Sequence, residues 1–536
     1  MSRYGIVSWT FNSRYGCKNL IVTPASLRDP SQANLVHTWS KVRANYKAKN
    51  GTVKGYYGCT GCRAMGSSIS NCASVTIDVE EGTFLTDPFK TVHACEPKSN
   101  HSVRGIEVRR EELANMKSNG GRTAEALVKI SSRAMTKYSG EDELVRDNIR
   151  ATACGKKEAS TAQAIRRARA QLYPTIPSLD QITTTLSYTF GGLHANPSDA
   201  RFQEVMLRYK SPELAIFLSP YGAALLKRSK HVVCDGTFAY APAGTLQIYR
   251  VFGLIGGEST PFATALMTRK REQDYDLLWT QIRMVLDENN ADLRIKYAHF
   301  DCEVASVKAF KKTFPEVRAK MCMFHVKQNV TRHMQNLGLM PIYGRSALME
   351  TIVRQMGALC LVPENTVEAV FLQLRSDLPC DDSQENWPPG TCATLNRLFD
   401  YYWNEWIQNS LGLDFINLYD MEDGPRTTNH AEGYHGAQKN NYRTTNMPLG
   451  EWLYTFQKVH HREEAHIRDV LLGISDGKPR LQSTQYIDGE LKTAKEGLEI
   501  ALDLHDGDVG AAKQAIISYL TRVGALIGYN RTEIDQ

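Results

Sequence analysis

Apolar positions change their period several times along this chain, and each change marks a different kind of element. Up to about residue 100, short runs rich in β-branched and aromatic residues (NLIVT, VKGYYGC, ASVTIDV, GTFL) are separated by Gly and Ser breaks. This predicts a small antiparallel β domain over 1–103. From about 104 to 172 the apolar residues fall three and four apart, and Cys154-Gly155-Lys156-Lys157 breaks the pattern between Glu141–Ala153 and Ser160–Leu172. Two helices across a tight turn predict a helix-turn-helix within a helical domain over 104–225. Pro174, Pro177 and Ser178 mark a linker into Leu179–Phe190 and Asp199–Tyr209.

A third pattern starts at 231. HVVCDGTF, TLQIYRVFGLIGG and PFATALMT are apolar runs parted by turn residues, which predicts a three-stranded meander. Then come a helix at Tyr275–Asn289, a strand at Arg294–Phe300, a helix at Glu303–Phe314, a strand at Ala319–Phe324 and a helix from Val326 to about Leu337. The predicted order over 226–340 is β-β-β-α-β-α-β-α, as expected of a ribonuclease-H-like core. Residues 341–424 read as a helical insertion with an aromatic cluster, FDYYWNEWI, and a DDSQENWPPG loop. The core resumes over 425–465, and 466–536 form a helical tail broken at Asp503–Asp508.

The chain has 536 residues, 42% of them hydrophobic and 23% charged, enough to bury several cores. No apolar run reaches eighteen residues and the N-terminal stretch does not read as a signal peptide, so neither membrane insertion nor secretion is expected. The net charge of +6 conceals an asymmetry, because residues 1–174 carry +12 and the remainder −6. A basic first third joined to an acidic-leaning remainder points to a grip on a polyanion. Of twelve cysteines, Cys59, Cys62, Cys72 and Cys95 cluster near His93, which suits tetrahedral zinc better than disulfides.

Asp235 ends one β-branched run and Asp301 another, so both fall at strand ends. Two carboxylates meeting at a sheet edge repel unless a divalent cation lies between them. Glu432, in RTTNHAEGYHG, opens a helical stretch and completes an oxygen-ligand set suited to Mg²⁺ or Mn²⁺. Two such ions support in-line phosphodiester displacement.

VVCDGTF, YDLLWTQI, AHFDCEVASVKAFKKTFPEV, MCMFHVKQNV and RTTNHAEGYHG, in that order over about 230–460, resemble the Mutator-like element (MULE) transposase family. Asp235 and Asp301 are 66 positions apart, and Glu432 follows 131 later. The resemblance implies cut-and-paste DNA transposition by a ribonuclease-H-like DDE nuclease, with Asp235, Asp301 and Glu432 as its acidic residues. It also picks out Cys322 and His325 as the family's Cys-x-x-His motif, in a supporting role or, with His430 and His435, at a soft-metal site. The N-terminal cluster is similar to WRKY/GCM and FLYWCH zinc domains, which implies zinc held by Cys72, His93, Cys95 and either Cys59 or Cys62.

In that class a basic strand enters the DNA major groove, which makes Lys41, Arg43, Lys47, Lys49 and Lys54 candidate DNA contacts. Lys156, Lys157, Arg166, Arg167 and Arg169 form a second basic module, placed as on a recognition helix with Ile165 turned inward. Arg426 and Asn429 precede Glu432, and Trp403 or Trp406 could stack on an extruded base. The expected protein is a nuclear, oligomeric enzyme acting on terminal inverted repeats and target DNA in duplex form. Its rival is a transposase-derived transcription regulator that binds DNA without cutting it.

Overall fold

In the computed structural model the described residues are 8–11, 19–26, 29–66, 72–155, 157–182, 206–288, 292–421, 424–427, 429–442, 446–477, 482–505 and 507–528. They divide into two units, Met1–Pro174 and Thr175–Gln536.

The first unit opens with an antiparallel sheet of β1 (Ser8–Phe11), β2 (Asn19–Pro24), β3 (Leu35–Lys41), β4 (Tyr46–Lys47), β5 (Val53–Cys59), β6 (Ser74–Asp78), β7 (Thr83–Phe84) and β8 (Lys98–Ser99). The order is β1-β2-β3-β5-β6-β7, with β4 on β5 and β8 on β3. Ile21, Trp39, Tyr57, Val75, Ile77 and Phe84 form its core, and the Trp39 indole N–H donates to Thr23 Oγ1 at 3.0 Å. Directly after β5, the short helix α1 (Thr60–Ala64) carries Cys62 back into this core.

Four helices complete the unit: α2 (Asn100–Asn119), α3 (Thr123–Lys137), α4 (Glu143–Cys154) and α5 (Glu158–Ala170). Val108, Met116, Ile130, Ile149 and Ile165 interlock between them. Gly155, with φ +82°, ends α4. The carbonyl left open at Cys154 accepts from Thr161 Oγ1 at 2.6 Å, and that of Ala153 from Arg109 at 2.7 Å.

The second unit is built on seven strands: β9 (Leu207–Lys210), β10 (Leu214–Leu218), β11 (His231–Thr237), β12 (Gln247–Ile255), β13 (Glu258–Met267), β14 (Tyr297–Phe300) and β15 (Arg318–Met321). Their order is β15-β14-β11-β12-β13-β10-β9. β11 to β13 form the antiparallel meander, while β14 and β15 run parallel to β11. The helix α6 (Pro220–Arg228) precedes β11. α7 (Glu272–Asp287) and α8 (Val304–Thr313) make the crossovers, and α9 (Met323–Asn336) follows β15.

Residues 207–218 correct the sequence grouping, which placed them in the 104–225 helical domain: as β9 and β10 they extend this sheet beyond β13. The run LAIFL at 214–218 is short and wholly apolar, so periodicity does not separate strand from helix there. Most of Leu179–Phe190 and Asp199–Tyr209 lies outside the described residues.

One face of the sheet packs on α7 and α8 through Tyr275, Leu278, Trp279, Phe300, Phe310 and Phe314. The other is covered by α16 (Leu449–Leu471), whose Trp452, Leu453 and Phe456 meet Phe217, Ile248 and Leu266. Between β15 and α16 lie α10 (Met340–Tyr343), α11 (Ala347–Ala358), α12 (Val367–Ser376), α13 (Thr391–Tyr402), α14 (Leu413–Ile416) and α15 (Asn429–Gln438), with a π-helical turn at Trp403–Ile407. In the tail, α17 (Gln482–Leu504) and α18 (Val509–Leu526) pair, and α18 packs on α11. No helix among the described residues is long and apolar enough to cross a membrane.

Gly105 shows how tightly α2 crosses α4. A Cβ there would lie 2.6 Å from the Ile149 carbonyl oxygen and 2.8 Å from the Ala153 amide. Alanine at an open helical site gains about 1 kcal/mol over glycine. Against backbone atoms that cannot swing aside, the sign reverses. Gly105→Ala should therefore lower the unfolding temperature and speed amide exchange in α2 and α4, measured by calorimetry and by hydrogen exchange with mass spectrometry.

Candidate functional site

Register brings the first two carboxylates together. In the parallel β11–β14 pair Cys234 stands opposite Phe300, so the next residue on each strand is an aspartate, Asp235 and Asp301. Both lie toward the carboxyl ends of parallel strands, where open sheets bind ligands. α15 seats Ala431 between Val233 and Phe252, which brings Glu432, in its first turn, to Asp235.

Burial and proximity act on Asp301 and Glu432. Burial, then the charges of Asp235 and Glu303, push the Asp301 carboxyl up to about 6. Burial raises Glu432 too, with Asp235 adding to the shift. The Asp301 Oδ1 accepts from the Glu303 amide at 3.1 Å, while Glu303 pairs with Lys270 at 3.1 Å. A hard divalent cation would relieve this mutual repulsion, so the residues present fit Mg²⁺ or Mn²⁺.

Cys322 and His325 sit where β15 turns into α9. The Cys322 amide donates to the Phe300 carbonyl at 2.8 Å, and the Met323 amide to the Arg426 carbonyl at 3.0 Å. The His325 Nε2 lies 3.7 Å from Glu432 Oε1. Burial opposes charge on this imidazole, but Cys322, Asp301 and Glu432 outweigh it and push His325 up to about 9. At neutral pH it is a cation beside the carboxylates. His435 faces Asp235 instead, with Nε2 3.3 Å from Oδ2, and its Nδ1 is 2.6 Å from the Tyr240 hydroxyl. That geometry sets His435 apart from a soft-metal site with Cys322 and His325.

In the first unit, Cys59 Sγ and Cys62 Sγ lie 3.5 and 3.6 Å from Cys95 Sγ, and Cys62 Sγ lies 3.8 Å from His93 Nδ1. A tetrahedron with zinc–sulfur bonds of about 2.3 Å has edges of about 3.8 Å. Ligand atoms of His37, Cys59, His93 and Cys95 also lie within 4.8 Å of one another. His37 stacks on His93 at 3.5 Å between ring centroids. Burial, with Cys59 and Cys62 beside it, pushes the Cys95 thiol up to about 12, while burial and His37 hold His93 down at about 4. Crowded thiols and a neutral imidazole suit a soft cation that displaces the thiol protons.

The expected ligand Cys72 departs from this set, its thiol directed at the carbonyls of Cys59 and Ala73, both at 3.5 Å. His37 escaped the sequence reading because it sits on β3, 22 positions before Cys59 and outside any Cys/His spacing motif. Pairing of β3 with β5 brings it in.

The candidate DNA contacts fall into distinct groups. Arg43, Lys47 and Lys49 are exposed, and Lys41 and Lys54 half-exposed, along β3 to β5. Arg43 lies over the Tyr56 ring at 3.6 Å, and Tyr56 stacks on Tyr46. On α5, Ile165 is buried while Arg166 and Arg167, and Lys157 just before the helix, are exposed; Arg169 reaches Thr123 at 3.5 Å. Lys156 lies outside the described residues.

Asn429 is exposed at the start of α15, but Arg426 forms an ion pair with Asp488 of α17. Of the aromatic candidates, Trp406 is buried in the core, which leaves it no open face for a base, while Trp403 is half-buried and tilted against Phe371, 5.5 Å between rings.

Residues 231–329 match the family model described as the MULE transposase domain. The matched segment runs from β11 into α9 and contains Asp235, Asp301, Cys322 and His325, while Glu432 lies beyond it. No curated protein matches the chain.

Because folding raises the Asp301 pKa, its contribution to stability is full below about pH 4 and is lost as pH rises through about 6. The ionised group then costs roughly 3 kcal/mol. Asp301→Asn should raise the unfolding temperature at pH 8 and make no difference near pH 4. Added Mg²⁺ should raise it for wild type and not for the variant, as read by differential scanning fluorimetry.

Proposed function

We propose that this protein is a DNA transposase of the DDE type, with a ribonuclease-H-like core interrupted by the helical insertion 341–424. One observation carries the reading: within and beside a segment similar to a transposase domain, Asp235, Asp301 and Glu432 converge from two parallel strands and one helix. Asp235, Asp301 and Glu432 would hold the metal. Two divalent ions bound by such carboxylates activate the attacking oxygen and stabilise the leaving oxygen of a phosphodiester. His325, cationic beside Glu432, would meet a scissile phosphate. Exposed basic residues of the first unit, Arg43, Lys47, Lys49, Lys157, Arg166 and Arg167, supply the grip on duplex DNA.

Cleaving and joining two transposon ends requires both ends in one assembly, so the working form is a homodimer or larger oligomer. Its DNA substrate places it in the nucleus. Cleavage of a labelled duplex carrying the element's own terminus should occur in Mg²⁺ or Mn²⁺ and disappear in Asp301→Asn, while binding, followed by mobility shift, persists. Tight binding with every strand intact under all conditions would replace the enzyme by a DNA-binding regulator.

The first unit is proposed to hold one structural zinc through Cys59, Cys62, His93 and Cys95, with His37 stacked behind His93. Elemental analysis should find one zinc per chain. Cys62→Ser should lose it, and Cys72→Ser and His37→Ala should keep it. Chelation should unfold the β domain and abolish DNA binding.

A further inference from the structure

Behind Asp235 the structure holds a chain of polar groups with no role in the reading above. Asp235 is buried, and its Oδ2 lies 3.3 Å from His435 Nε2. His435 is buried as well, and its Nδ1 lies 2.6 Å from the hydroxyl of Tyr240, a residue without any solvent exposure. Tyr240 cannot readily turn away. Its ring stacks on Tyr442 at 4.7 Å, and its carbonyl accepts from the Trp452 indole N–H at 3.1 Å.

Arg250, across the β11–β12 ladder from Asp235, is buried on the same side, with its guanidinium carbon 6.0 Å from the Tyr240 ring centroid. A neutral imidazole carries one proton, and a hydroxyl that donates to Nδ1 sends that proton to Nε2, facing the carboxylate.

We propose that His435 and Tyr240 are positioning residues for Asp235: the Tyr240 hydroxyl fixes the His435 tautomer, and the Nε2–H of His435 holds the Asp235 carboxylate in place for a divalent cation. This rests on the reading of Asp235 as a metal ligand. His435 lies three residues after Glu432 on α15, so one helix supplies both a candidate ligand and the group that orients another. Orienting groups of this kind change metal affinity or activity by about 10–100-fold when removed.

The test is calorimetric titration of Mn²⁺ into the full-length protein and its Asp235→Asn, His435→Phe, His435→Gln and Tyr240→Phe variants. His435→Phe should weaken Mn²⁺ binding about 10-fold or more. His435→Gln should recover most of the loss, because its amide N–H can replace Nε2–H. Tyr240→Phe should weaken binding less, and should add nothing in the His435→Phe background. Equal losses in His435→Gln and His435→Phe would reduce His435 to packing and overturn the proposal.

Wild-type affinity in both His435→Phe and Tyr240→Phe, with Asp235→Asn weakened, would overturn the inference and leave the site standing. Wild-type affinity in Asp235→Asn would remove both. Tyr240→Phe deletes a single hydroxyl and carries the test alone if His435→Phe does not fold.

Discussion

Repulsion between carboxylates brought together by a parallel strand register is the constraint on which the second unit turns. Nothing in β11 or β14 alone requires it. Once Cys234 stands opposite Phe300, however, Asp235 and Asp301 become neighbours in a half-dry edge where the charge of Asp235 disfavours that of Asp301. The surroundings answer with counter-charge and with donors. His325 is cationic because it lies among Asp301, Glu432 and Cys322, the Glu303 amide donates to Asp301, and His435 approaches Asp235 from behind. Buried carboxylates without such partners would take up protons, and a protonated set is a poor home for a hard cation.

The same physics, in softer form, shapes the first unit. Cys59 and Cys62 are packed close enough to Cys95 to add to the rise that burial gives its thiol, and His93 is kept neutral by burial and by its stacked neighbour His37. A cluster of this kind binds a cation by surrendering thiol protons, so affinity and folding are coupled. The core of that small sheet is otherwise thin, with Trp39, Tyr57 and Ile77 at its centre, and a metal cross-link between β5, α1 and the His93–Cys95 segment would add what a sheet of this size lacks.

Periodicity alone predicted the helix–turn–helix pair at α4 and α5, the meander at β11 to β13 and the alternation from α7 to α9, each within a few residues of the element observed. It missed β9 and β10, since a five-residue apolar run carries no period; Trp406, a stacking candidate by its aromatic ring, is enclosed by packing. Candidate ligands were legible where chemistry is written locally: an aspartate ending a β-branched run, cysteines three positions apart, a His-x-Cys pair. Tyr240 and His37 carried no such mark, because their neighbours come from elements 195 and 22 positions or more away.

Residue types and local order thus determined which groups this chain could bring to a metal or to DNA, since strand ends, helix faces and charge follow from nearest neighbours. Tertiary structure alone decided which of them meet. Only the β11–β14 register and the seating of Ala431 of α15 against Val233 and Phe252 set Asp235 beside Asp301 and Glu432. Only the fold of α1 against β5 chose Cys62 over Cys72 as the sulfur facing Cys95 and His93. The reason is physical: coordination and ion pairing act over a few ångströms of space, and distance along a chain does not set distance in space until the core has closed.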